Sequence, residues 1–502
     1  MFGWGSRIVI ILVIGGCVAE NYRGHYVWKK YRQELEAKGE RFELAALAPK
    51  PVPPDQNFAA TPFFAPFLEY VIDETDREHP YRWKDKQRYE YNRSLVGFPS
   101  DSKQKKASET GQWQLGTFTD FRLWQDYFGG NTNFPSEATA KDPASQVLAA
   151  LRKYDGVLDE LLGASVRPSC VFAIHYDEHY QALLPHLAAL KEISQIVRLR
   201  ALAHVEADHP IEALRDIVFG FRLTETLKSE RLLISSLVRI RLAESVLQPV
   251  WEGLARRRWS EPQVAELQAA LARINILEDY GPTMRMERSV SIHFVEQLRT
   301  GQYRHLAPST DGGEETAKDY KALQRLPGGV FRQNQFTIAW RYQERLLPLV
   351  DAEEHRVDVR GVNRAGAVRE STRFHPYALF ANLLVPPLSR VAERFARAQA
   401  GVDLALVACA LERHRLAHGR YPDTLEALVP KFLPAIPPDV ITGEPLKYRL
   451  TEEGHFLLYS VGWNQVDEGG TPGLTPRAKN FDPGKGDWVW RCSAVVTPAG
   501  RE

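Results

Sequence analysis

"VDLALVACALERHRLAHGRYPDTLEALVPKFLPAIPPDVITGEPLKYRLTEEGHFLLYSVGWNQVDEGG", Val402 to Gly470, changes its hydrophobic period partway along. Up to His418 the apolar residues recur at helical spacing. Val391, Phe395, Ala398, Val402, Ala405 and Cys409 form one stripe of a helix running roughly from Leu388 to His418, and Gly419 ends it. Beyond it, "PLKYRL", the turn "TEEG" and "HFLLYS" read as a β-hairpin, and "DWVWRCSAVV" as a further strand. A long helix followed by a small antiparallel sheet is therefore expected over residues 386–502.

Upstream the pattern is helical from about 146 to 300. Ile193, Ile196, Val197, Ala201 and Val205 share one face. "ADHPIEALRDIVFGFRL" opens a second helix with Pro210 in its first turn and Ile211, Leu214, Val218 and Phe221 inward. Leu233, Leu237 and Ile240 mark a third. The fourth begins at Ser260, with Gln263 placed to close a capping box and Val264, Leu267, Leu271 and Ile274 as core. Helices of this length with short connections predict antiparallel hairpins stacked as a small α-solenoid.

Residues 301–385 read as a loose connector around one helix, Gln335 to Val350. Residues 58–145 mix apolar and polar stretches without a period that assigns a fold. Residues 25–57 hold a charged helix ending at Gly39, then the Pro-rich spacer "LAPKPVPPDQNF".

The chain has 502 residues, with 64 Lys and Arg against 63 Asp and Glu. That balance provides no field to recruit nucleic acid, and no nucleic-acid partner is expected. Its four cysteines, Cys17, Cys170, Cys409 and Cys492, make no framework spacing. Residues 1–24 read as a membrane anchor or signal segment: Arg7 precedes an apolar or small run from Ile8 to Ala19, short against the roughly 20 residues of a full span. Three readings stand: an uncleaved anchor, a lipoprotein signal with Cys17 lipidated, and a cleaved signal. The preferred one is a membrane-attached chain whose bulk is periplasmic or otherwise extracytoplasmic, although Lys29, Lys30 and Arg32 sit badly with the positive-inside rule.

Two stretches carry candidate chemistry. "HYDEH", His175 to His179, fits H-x-x-E-H, in which two histidines four apart on a helix bind Zn²⁺ and the glutamate acts as base. His175, Glu178 and His179 would then serve a zinc-dependent hydrolase. Pro168 and Pro185 lie near either side, and no third ligand stands out. The second stretch is the loop after "LYSVG". Asn464, Asp467, Glu468, Asp482 and Asp487 supply oxygens around Gly462, Gly469 and Gly470, a donor set suited to Ca²⁺ rather than to zinc. A solvated Gly/Asp turn has the same composition.

Val402 to Gly470 also resembles the C-terminal domain of the major pseudopilin of type II secretion systems. The likeness lies in the helix ending "HGRYPDTLEALVP", the "LP..P.D...G.PL.Y" run into a strand, and "LYSVG" before the Gly/Asp loop. With the strand and late loop that follow, the likeness covers about 90 residues, roughly 400–492. The resemblance implies a long helix packed on a small antiparallel sheet and a calcium site in that loop, with Asn464, Asp467 and Asp487 at the matching positions. The chain departs from the family in several features: the N-terminus lacks its glutamate-bearing leader pattern, the helical array separates that N-terminus from the pseudopilin-like helix, Val440 replaces its usual proline after Asp439, and the loop from Thr471 to Lys485 is longer.

The fold class expected is mainly α, a helical-hairpin array followed by a pseudopilin-like α+β domain. The function expected is that of a non-enzymatic, membrane-tethered envelope protein. Its helical array would meet a protein partner, and Ca²⁺ would stabilise its tail. The alternatives are the zinc hydrolase and an accessory of a type II secretion-like system.

Overall fold

The apolar N-terminal run and the charged segment after it form one continuous helix, α1 (Trp4–Ala37). The computed structural model describes residues 4–73, 81–98, 101–137, 139–302, 325–367, 376–385, 388–477 and 480–492. Its other principal helices are α2 (Pro185–Glu206), α3 (Pro210–Glu225), α4 (Leu233–Ala255), α5 (Glu261–Leu271), α6 (Leu277–Thr300), α7 (Gly328–Arg341) and α8 (Ser389–His418). The main sheet consists of β1 (Lys447–Leu450), β2 (Phe456–Ser460) and β3 (Trp488–Arg491). The chain is mainly helical, with small antiparallel sheets in its C-terminal part.

Local signals place these elements. Pro210 occupies the first turn of α3, where its missing N–H has no partner to lose. At α5 the Ser260 N–H donates to Gln263 Oε1 at 3.0 Å, which is half of a capping box. Gly419 ends α8 in the left-handed region at φ 77°. The hairpin pairs Lys447 with Tyr459 and Leu450 with Phe456, and β3 joins the other side of β2.

Two cores result. The first runs from Trp28 on α1 through Trp251 on α4, Tyr280 on α6, Phe331 on α7 and Phe395 on α8 to Trp490 of the sheet. The second gathers aromatic side chains between residues 58 and 134, among them Phe64, Phe67, Phe98 and Trp124, against α2 and two shorter helices, Pro143–Leu151 and Asp155–Ala164. The region without an assignable period is therefore an aromatic layer on the array. Its order comes from ring-to-ring packing such as Phe63 on Phe64 at 4.8 Å.

Three expectations need correction. Leu214 and Phe221 are buried as expected, but Ile211 is 71% exposed and Val218 only half-buried, and Ala213 and Ile217 complete the inward face of α3. The helix expected from Gln335 to Val350 is α7, starting at Gly328 and ending at Arg341, with a π-turn over Tyr342–Leu346. It is no part of a loose linker, because Val330, Phe331, Ile338 and Ala339 are buried. Residues 303–324 and 368–375 of that stretch lie outside the described residues. On α8, burial extends beyond the stripe: Ala392, Ala396, Leu404, Val407, Ala408 and Leu411 are buried too. The sheet meets one side of α8, while α4 and α5 pack on others.

Candidate functional site

The stretch "HYDEH" does not lie on an α-helix. Tyr176–Gln181 is a 3₁₀ turn, and in such a turn residues four apart diverge by about 120° instead of sharing a face. His175 is exposed with its ring 5.2 Å from that of Tyr70. Glu178 is half-buried, and the side chain of His179 lies outside the described residues. The i, i+4 geometry on which the zinc motif depends is thus not what this segment forms. Pro168 and Pro185 flank it, and Pro185 instead opens α2.

The Gly/Asp loop is better organised, and around backbone rather than around oxygens. Asp487 is fully buried. Its Oδ2 accepts from the Gly470 N–H at 2.7 Å and the Thr471 N–H at 3.1 Å, and its Oδ1 faces the Glu468 N–H at 3.4 Å. Burial pushes this carboxyl above its ordinary value, against the pull of those three donors. Asp467 is exposed. Its Oδ1 accepts from the Gly469 N–H and the Tyr459 hydroxyl, each at 3.0 Å, and the Gly469 N–H holds its carboxyl low.

Asn464 turns its amide nitrogen to Glu468 Oε1 at 2.7 Å, and its oxygen accepts from the Val466 N–H. Asp482 accepts from the Gly484 N–H and sits 3.5 Å from the Lys485 ammonium. Both oxygens of Asp487 and one oxygen each of Asn464, Asp467, Glu468 and Asp482 accept from N–H or O–H donors. A hard cation takes six to eight convergent oxygens, so these side chains would have to turn from their present donors to hold one. Among the described residues no group of three or more His, Cys, Asp or Glu is placed to hold a metal ion.

The polar centres that the motif search passed over are structural knots and one cleft. Buried Asp439 accepts from the Ser460 hydroxyl at 2.8 Å and from the Ile441 and Val461 N–H groups, pinning "PPDVITGEP" to the end of β2. Glu252 accepts from the Thr119 N–H and hydroxyl and from Gln248, whose own oxygen accepts from the Trp113 N–H at 2.6 Å. The cleft lies between α2 and α4 and is lined by Arg198 and Arg241. One sequence signal could have found it: Arg198 interrupts an apolar helix face with no acidic residue three or four positions away.

Comparison with protein-family models, with curated proteins and with solved structures finds no match to this chain.

Proposed function

We propose that the chain is a membrane-tethered envelope protein that works by presenting an interaction surface rather than by catalysis. One observation carries the tether in this reading. Along the first half of α1, Ile8, Val9, Ile11, Leu12, Val13, Ile14 and Val18 are each more than half exposed, an apolar surface that the described residues leave uncovered. From Glu20 onward the same helix is docked. Asn21 Oδ1 accepts from the Gly329 N–H at 2.7 Å, Glu20 accepts from the Tyr377 hydroxyl at 3.0 Å, and Trp28 and Leu35 are buried.

A helix apolar on every side and left uncovered has lipid as its natural solvent. Among the described residues no helix is long and apolar enough to cross a membrane. The tether is accordingly an inserted helix end rooted in a rigid body, and a lipid on Cys17 is the alternative means of holding it. Support for a pseudopilin-like tail comes from α8 packing on the antiparallel sheet β1–β2–β3. Because α8 is buried on nearly every side, that tail serves as part of the tethered body and offers no helix face to a fibre.

Membrane fractionation tests the proposal. The full chain is expected to stay with membranes through high salt and alkaline carbonate, and to be released by detergent. A chain lacking residues 1–19 is expected to be soluble and still folded. Recovery of the full chain in the soluble fraction after simple lysis would refute the tether. Loss of membrane attachment in Cys17→Ser would move the anchor from the helix to a lipid.

A further inference from the structure

Two cavities, of about 420 and 350 Å³, adjoin between α2, α4 and the segment 102–114, and both are lined by Arg198, Arg241, Ser108 and Ser245. The second reaches Asn480 and Phe481, so the cleft lies where the aromatic layer, the array and the C-terminal part meet. Sites of this size at such junctions are where small ligands bind.

Three arginines line the cleft, and among the described residues the guanidiniums of Arg198 and Arg241, unlike that of Arg397, have no hydrogen-bond or ion-pair partner. Nearby arginines do have partners. Arg200 bonds Asp216 at 2.6 and 2.8 Å, Arg239 bonds Glu225 at 2.6 Å, and Arg397 bonds Glu244 at 2.8 Å. In that last pair Arg397 holds Oε1 of Glu244, an acidic residue of the cleft wall. Glu192 and Glu109 each line only one of the two cavities.

Arg198 is half-buried, and burial together with the charge of Arg241 pulls its pKa down to about 10 against a smaller opposing pull from buried Glu252. Two like charges facing one cavity cost stability, and an anion between them would reverse the sign of that term. Lys191 adds a third positive charge at the end of the cleft that Phe98 walls with an aromatic ring.

We propose that this cleft binds a small molecule through an oxyanion head group, phosphate or carboxylate, held between Arg198 and Arg241. The apolar part of the ligand would lie toward Phe98. Occupancy would tie α2 and α4 to the C-terminal part across the cleft. The site is independent of the membrane tether.

The test uses the full chain in detergent, melted and titrated calorimetrically with inorganic pyrophosphate and, separately, citrate at constant ionic strength. At least one probe is expected to raise the melting midpoint saturably. Arg241 is exposed, so Arg241→Gln spares the packing; it should weaken that binding about tenfold or more, as should Arg198→Gln. Without anion, both variants are expected to melt no lower than the parent, because each removes an unpaired like charge; a purely structural arginine would behave oppositely. Arg257→Gln, a charge-matched change on an exposed turn, should keep the full response. A response to pyrophosphate alone assigns phosphate, and a response to citrate alone assigns carboxylate. No saturable response to either probe, or an unchanged response in Arg241→Gln, would overturn the proposal. If Arg198→Gln fails to fold, Arg241→Gln decides it.

Discussion

At Asp487 a buried carboxylate faces three backbone N–H groups from residues 468 to 471, and the loop closes around it. Gly470 sits at φ 82°, in contact with Leu457 and Tyr459, so the backbone that offers these donors needs glycine there. Replacing Asp487 with Asn keeps the shape but turns one acceptor into a donor. At least one buried N–H then loses its partner, a loss of about 2 kcal/mol. Thermal melts of the full chain should show Asp487→Asn below the parent by that amount. With the loop held by its own backbone, a chelator is expected to leave the parent's midpoint where it was. A chelator-induced drop of several degrees would instead show that calcium organises these oxygens on binding, as the pseudopilin resemblance implies.

The joint between α1 and the body belongs to the scale of elements. Gly24 on α1 and Gly329 on α7 face each other so closely that a Cβ on Gly329 would lie 2.0 Å from the Glu20 carbonyl oxygen. Small residues let the two backbones touch, and Trp28, Tyr31 and Phe336 pack beyond the crossing. The far end of the joint is ionic. Glu40 accepts from Arg288 at 2.7 Å and from Arg285 at 3.0 Å. Burial alone would raise the Glu40 carboxyl, but the two guanidiniums hold it below the usual carboxylate range. A lowered folded pKa means that this stabilisation is complete above about pH 4.5 and is lost as the pH falls through the folded value. Gly329→Ala should cost about 2 kcal/mol by forcing the helices apart. Glu40→Gln should cost about 3 kcal/mol at neutral pH, and its deficit against the parent should vanish in acid. Limited proteolysis around residues 37–40 at pH 7 and at about pH 2, below the lowered folded value, reads both effects; equal cutting of parent and variants at pH 7 would show that the joint does not depend on these contacts.

Elements with local signals were legible in the sequence: the capping box at Ser260, the proline of α3, the glycine after α8, and the hairpin with its "TEEG" turn. In each, the residues that decide the conformation are neighbours in the chain. The start of α7 was not, because Gly328 and Gly329 read as breakers until the helix that crosses them is known. The outward turn of Ile211 depends on how α3 leans on its partners, and the aromatic layer over residues 58–134 has no period at all. The candidate site divides in the same way. Composition brought Asp467 and Asp487 into one loop, but which groups their oxygens face is set by the backbone path, which composition does not carry.

Across the whole molecule, the C-terminal part is built into the array. Trp113, on the segment held by Gln248, packs its ring 4.9 Å from Trp490 of β3, and the Trp251 indole donates to the Arg491 carbonyl oxygen at 2.8 Å. Gln399 on α8 accepts from the Ile276 N–H at 2.7 Å, and Gln268 on α5 donates to the Phe432 carbonyl oxygen at 2.6 Å. These are buried polar bonds between stretches more than a hundred residues apart, and removing one side leaves the other unsatisfied. Removing residues 386–502 would also strip α8 from the faces of α4 and α5, exposing Trp251, Val264, Leu267 and Leu271, which are now buried. A chain ending at residue 385 is therefore expected to lose cooperative melting and to bind a hydrophobic dye. The full chain should melt in a single calorimetric transition. A cooperatively folded 1–385 fragment would show that the helical part stands alone. It would also make the tail a separate module, free to turn its sheet toward a partner of its own.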